Sequence, residues 1–286
     1  MGRLFNNIIL ITMVSIAVQF AFKPAFRPRE GSVAKQTRLD EILKHGVLRC
    51  GYALYPPYLD RDPNSGKLTG LSVSMMEEIG RKMSVKIEWT EEVAWDSLAD
   101  GFTTNRYDAV CGPVWQTTAR SLRAAFSTPY AYSILQAWKK TGNSRINSIE
   151  ALNDASVKMT GVDGDGRVLL YKNKFPRAQS LSLPGSSSDA AIILDVTTGK
   201  TTATLLEPAS ARLFLRTNPG QIERIGHADS FVSASPLVVL LPQNEAALKN
   251  VIDTALMEML TSGQMETFLR QQQIPAEDIR LANPVH

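Results

Sequence analysis

At 286 residues the chain is too long for one small core and suits two lobes or domains of about 100–150 residues each. A composition of 44% hydrophobic and 21% charged residues, with 18 Gly and 15 Pro, excludes collagen-like, coiled-coil and wholly disordered chains. The formal charge of +3, without a long basic run, leaves no footprint for nucleic acid. Two cysteines and three histidines, in no zinc-ligand spacing, make neither a disulfide scaffold nor a metal site.

Residues 8–22, IILITMVSIAVQFAF, form an uncharged run preceded by Arg3 and followed by Lys23-Pro24. Its length lies between a signal-peptide core and the roughly 20 apolar residues of a spanning helix, so a cleaved signal over 1–22 and an uncleaved anchor over 5–22 both fit. Ser15-Ile16-Ala17 offers small residues for cleavage, while Lys23, Arg27 and Arg29 disfavour an anchor with its C-terminus exported. A Pro/Arg-rich linker over 23–37 follows, and the rest is expected to be exported to the periplasm.

Leu39–Lys44 reads as a helix and Val47–Cys50 as a strand, which Gly51 and Pro56-Pro57 turn into a loop. Val73, Met76, Ile79 and Met83 recur at helical spacing, and Val85–Thr90 alternates as a strand. Ser97–Thr104 is helix-like, and Tyr107–Cys111 is a strand ending at Gly112. This β-α-β-α-β order predicts parallel strands with ligand-binding loops beyond their carboxyl ends, at Tyr55–Tyr58 and Gly112–Arg120.

The alternation resumes after Lys139-Lys140. A helix is expected around Ile149–Leu152, a strand at Val157–Thr160, a Gly/Asp loop at 163–166, and a helix ending before Pro176. Ser186–Asp189 caps a helix that Gly199 stops, and Ala203–Leu206 is a strand ending at Glu207-Pro208. Pro236–Leu241 is strand-like, and Leu248, Val251, Ile252, Ala255 and Met259 make a helix face closed by Gly263. No nucleophile elbow, P-loop or dinucleotide-binding glycine fingerprint occurs.

Taken in order, Gly46–Arg49, Tyr55–Tyr58, Leu68–Leu71, Trp95-Asp96, Tyr107–Ala109, Thr117–Arg120, Phe126–Tyr130, Gly199-Lys200 and the terminal helix with Ser262-Gly263 carry a resemblance. From Leu39 to about Gln272 the chain resembles the family 3 (polar amino-acid type) extracytoplasmic solute-binding proteins of ABC transporters. The resemblance implies a two-lobed α/β type II periplasmic-binding-protein fold, two mostly parallel sheets joined by a two-strand hinge. Lobe 1 would comprise 38–131 and 235–286 and lobe 2 would comprise 132–234, with ligand in the cleft between them. It also implies a monomer that needs no cofactor and hands an amino acid or related small carboxylate to a membrane permease.

By the same resemblance, Arg120 would grip a ligand carboxylate, a task suited to a planar two-pronged donor. Thr117 is its hydroxyl-bearing neighbour, or else a local cap. Gly112 ends the strand before that motif. Tyr55 would cover the ligand side chain, and Glu207 stands where the family usually has an Asp that pairs with the ligand amino group. Trp115 stands where amino-acid binders often have a small hydroxyl residue, and would fill or wall the pocket. Asp165 falls where Thr or Ser usually donates to the carboxylate, so an acid would face the wrong charge. Ala53 and Leu54 offer no carboxylate near Tyr55, which weighs against a specific lysine or arginine ligand.

The strands ending at Cys50 and Cys111 would be neighbours in such a fold, compatible with an export-compartment disulfide or with two buried thiols. Two alternatives to transport remain. One is a prephenate or arogenate (cyclohexadienyl) dehydratase-like enzyme on the same fold, with Glu207 or Asp165 as general acid. The other is a membrane-tethered solute sensor.

Overall fold

The computed structural model describes residues 36–227 and 230–282. The expected targeting segment and nearly all of the expected 23–37 linker lie outside the described residues. From Thr37 onward the chain is one compact unit. Its first helix, α1 (Arg38–His45), opens on a Thr37–Asp40 capping box and stops at Gly46, whose positive φ of 66° suits a residue without Cβ.

Strand β1 (Val47–Tyr52) leads to a small hairpin of β2 (Asp60–Arg61) and β3 (Leu68–Thr69), then to α2 (Leu71–Met83). The helix buries Leu71, Met75, Met76, Ile79 and Met83 at helical spacing. It crosses to β4 (Lys86–Glu92), parallel to β1 and alternately half-buried and exposed, as an edge strand should be. A single turn, α3 (Asp100–Thr103), replaces the longer helix expected over 97–104. It precedes β5 (Ala109–Trp115), also parallel to β1 and buried at every residue. The β-α-β-α-β reading of this half therefore holds.

Boundaries differ: β1 does not stop at Cys50 but runs on through Gly51 to Tyr52. Strand β5 does not end at Gly112 but runs on through Pro113 to Trp115, because a later strand pairs antiparallel with it at Val114 and Trp115. Gly112 is thus an interior strand residue beside Ala53 and Leu59, not the start of a loop. The chain continues through α4 (Thr118–Ser121) and β6 (Ala125–Phe126) into the long β7 (Ala131–Lys140).

The region predicted as a helix at 149–152 is one 3-10 turn. Beyond it stand β8 (Lys158–Val162), α5 (Gly166–Lys174), β9 (Gln179–Leu183), α6 (Asp189–Thr197), β10 (Ala203–Leu206) and α7 (Pro208–Thr217). They are followed by β11 (Ile222–Arg224), β12 (Ser233–Leu241), α8 (Ala246–Thr261), α9 (Gln264–Gln271) and β13 (Ile279–Leu281). Strand β9 was not read from the sequence, since Gln179–Leu183 alternates Ser with Leu and buries none of its residues fully.

The strand order β4-β1-β5-β12-β7-β10-β8-β9 shows how the two lobes join. Strand β7 pairs antiparallel with β12 and β13 through Ala131–Leu135 and with β10 and β11 through Gln136–Lys140. One parallel set, β4-β1-β5, and another, β10-β8-β9, are thereby linked through two long antiparallel strands. Helices α8 and α9 return the end of the chain to pack on α2.

Candidate functional site

The site is built from strand ends. Past β1, the chain makes a tight bend at Tyr55–Leu59 that includes a cis Pro56-Pro57 bond. The bend buries the Tyr55 ring against Trp95, edge to face at 5.5 Å, and near Tyr58 at 6.0 Å. Trp115, at the end of β5, lies against Gly166, where a Cβ would stand 2.4 Å from the indole. The glycine at the start of α5 is what lets the tryptophan approach.

Arg120 projects from α4 between the lobes. Its guanidinium donates to the Trp115 carbonyl at 2.8 Å and, across the cleft, to the Gly164 carbonyl at 2.7 Å. It also lies 5.9 Å from the centre of the Trp95 ring. Burial lowers its pKa from the ordinary arginine value, although Asp165 works the other way. Thr117 takes the cap role: its hydroxyl accepts from the Arg120 backbone N–H at 3.3 Å.

On the facing lobe Glu207 is fully buried at the end of β10. Its Oε1 accepts from the Tyr55 hydroxyl and, at 2.6 Å, from the Ser133 hydroxyl. Its Oε2 has no partner among the described residues. Burial raises the Glu207 pKa to about 7; Arg167 opposes the shift and Asp189 adds to it. Burial, reinforced by Glu207, pushes the Tyr55 hydroxyl well above its ordinary value, so it stays protonated and donates.

Asp165 lines the cavity with its charge paired to an arginine. It caps α5 by accepting from the Arg167 backbone N–H at 2.9 Å and pairs with the Arg167 guanidinium at 2.6 Å. Arg167 is only 2% exposed, pairs also with Asp189 at 2.7 Å, and lies 5.9 Å from the Tyr55 ring centre. Burial works to lower its pKa, but Asp165 and Asp189 outweigh burial and hold the charge. Arg167, Asp189, Ser133 and Trp95 were missed as site residues by sequence reasoning. An arginine at the second position of a helix after a Gly/Asp loop was the available signal for Arg167, but its burial depends on packing.

The structure brings Tyr55, Trp115, Arg120 and Asp165, with Trp95, around one cavity of about 10 Å³, the space of a single water. Glu207 joins them through Tyr55. Gly112 and Thr117 do not line the cavity. The lobes are also tied by the Trp95 N–H to the Gly185 carbonyl at 3.1 Å and the Ser210 hydroxyl to the Pro56 carbonyl at 3.2 Å. This is a closed cleft with its polar groups turned on one another.

Residues 48–271 match the model of the bacterial extracellular solute-binding proteins, family 3. The chain belongs to that family. It is 27% identical over 237 residues to the L-cystine-binding protein TcyJ of Escherichia coli (strain K12), covering 82% of this chain and 85% of the relative. It is 24% identical over 245 residues to the cyclohexadienyl dehydratase of Pseudomonas aeruginosa, covering 84% and 85%. The fold matches the ancestral amino acid-binding protein AncCDT-1, a precursor of cyclohexadienyl dehydratase, with a TM-score of 0.70 at 24% identity over 82% of this chain and 98% of that one. An ancestral arginine-binding protein bound to arginine gives 0.69 at 23%, over 79% and 98%. Membership makes this chain a solute-binding protein.

Beside β1, β5 carries Cys111 within reach of Cys50, and the two form a disulfide with Cα atoms 5.5 Å apart. Among the described residues no group of acidic, His or Cys side chains could hold a metal ion, and no helix is long and apolar enough to cross a membrane.

Proposed function

We propose that the protein captures an amino acid or related small carboxylate between its lobes, outside the cytoplasm, and presents it to the permease of an ABC importer. The observation that carries this reading is Arg120. Among the described residues its guanidinium has no carboxylate partner and spends its donors on two neutral backbone carbonyls beside an aromatic-walled cavity. A ligand carboxylate would replace weak acceptors with a charge-assisted, two-pronged pair. Glu207, with one oxygen unpartnered, would take the ligand amino group from the other lobe, so that a zwitterion bridges the closure. The relatives named for amino-acid binding support this class of ligand.

A thermal-shift screen of the exported chain against amino acids, small carboxylates and prephenate tests the reading. Binding to the folded state alone raises the melting midpoint by mass action. The expected result is a shift with the ligand recovered unchanged, lost in Arg120→Ala with the unliganded midpoint intact. No shift with any of these compounds would end the reading.

A second reading, dehydratase activity, rests on Glu207: a buried carboxyl that titrates near neutrality is a competent general acid. Loss of water from prephenate, sensitive to Glu207→Gln, would establish it. Prephenate bound but unconverted would leave the protein as a binder without enzymatic activity.

A further inference from the structure

Among the described residues, six buried polar atoms without partners lie at two places, three at each. One is the interlobe site, with Arg167 Nη1, Asp189 Oδ2 and Glu207 Oε2. The other is a cavity of about 570 Å³ whose lining shares no residue with the interlobe cavity. That volume falls in the roughly 300–1,000 Å³ range of small-molecule sites. There Trp138 Nε1, Arg224 Nε and Asp278 Oδ2 are buried and unpartnered.

The geometry of β7 separates the two places. Side chains alternate along a strand, so Ser133, which holds Glu207, faces one side while Ile134 and Trp138 face the other and floor this second cavity. Arg212 of α7 forms one wall, and Arg224 enters from β11, whose register sets it opposite Trp138. The segment before and within β13 supplies the fully buried Asp278 and the exposed Arg280, and Phe231, 49% exposed, stands at the rim.

We propose that this cavity is a second binding site, for a small anion that carries a flat apolar body. Arg212 is already paired with Asp278. Arg224 and Arg280 have no ion-pair partner among the described residues, and with the indole N–H they form a set of donors awaiting an acceptor. Trp138 and Phe231 offer ring faces to the apolar body, and the free Asp278 oxygen takes a donor on the ligand. Carboxylate and phosphate share the required chemistry.

Benzoate and phenyl phosphate are suitable probes, titrated calorimetrically at millimolar concentration into the exported chain and into Arg224→Glu, Arg280→Glu and Arg120→Ala variants. Saturable binding of at least one probe is expected, weakened on the order of tenfold or more by each charge reversal and unchanged in Arg120→Ala. Arg280 is exposed, so its reversal tests the site even where Arg224→Glu disturbs packing. Absence of saturable binding by either probe, or binding retained in both charge-reversal variants, would overturn the proposal. Failure of the interlobe reading is distinguishable, because that reading depends on Arg120 and this one does not.

Discussion

Glu207 concentrates the chemistry of the cleft at the scale of one residue. Its pKa of about 7 stands above the ordinary 4.5 because burial penalises the carboxylate, while Ser133 and Tyr55 donate to only one of its oxygens. The folded state therefore holds this proton more tightly than the unfolded one. Its contribution to stability is full below about pH 4.5 and is lost as pH rises through about 7. Glu207→Gln should flatten that part of the stability profile in urea titrations between pH 5 and 8. A ligand bearing an amine should favour the ionised carboxyl, so binding should release a proton near neutrality and tighten with rising pH. An amine-free acid should show neither effect. Calorimetry in buffers of different ionisation heat reads the proton directly, and equal behaviour of the two ligand classes would remove Glu207 from the amine site.

At the scale of elements, the β1–β5 pair anchors the lobe that carries Tyr55 and Arg120. The strands are parallel neighbours, with Cys50 beside Ala109 and Gly51 beside Val110, and the disulfide staples Cys50 to Cys111, two residues past its register partner. The bond closes a loop with a sequence separation of 61 residues, for which chain entropy gives a stabilisation of about 4 kcal/mol. A Cys50→Ala/Cys111→Ala double variant should melt several degrees lower yet keep its ligand affinity, since neither sulfur lines the cavity. Loss of affinity at a temperature where the variant is fully folded would mean that the staple positions the site as well as holding the strands.

At the scale of the whole molecule, closure depends on backbone approach between lobes. Gly164, at φ +77°, brings its carbonyl to Arg120, and a Cβ there would stand 2.4 Å from the Asp96 backbone across the cleft. Gly164→Ala should therefore hold the lobes apart. Small-angle scattering should show a larger radius of gyration that ligand no longer reduces, with weaker binding. The fold should lose only about 1 kcal/mol, the cost of a side chain in a left-handed position. Unchanged compaction would show that the lobes close without this contact.

Much of this architecture was legible from the chain alone, because period and punctuation are local properties. Helical spacing of Val73, Met76, Ile79 and Met83, the strand at Ala203–Leu206 that stops before Glu207-Pro208, and the Thr117-x-x-Arg120 step all survive as elements. So do Tyr55, Arg120 and Glu207 as residues gathered at one cleft. What was misread had a tertiary cause. Strand β5 passes Gly112 because β12, more than a hundred residues later, pairs with it. Asp165 is neutralised by Arg167 two residues on, an ordinary cap until Asp189 and the Tyr55 ring close over the guanidinium. Burial, the sign of the local field and the second cavity at β7 are sums over distant segments. Sequence periodicity determined the strongly patterned elements such as α2 and β4, and only the assembled lobes decided which charges lost their water and which were left without a partner.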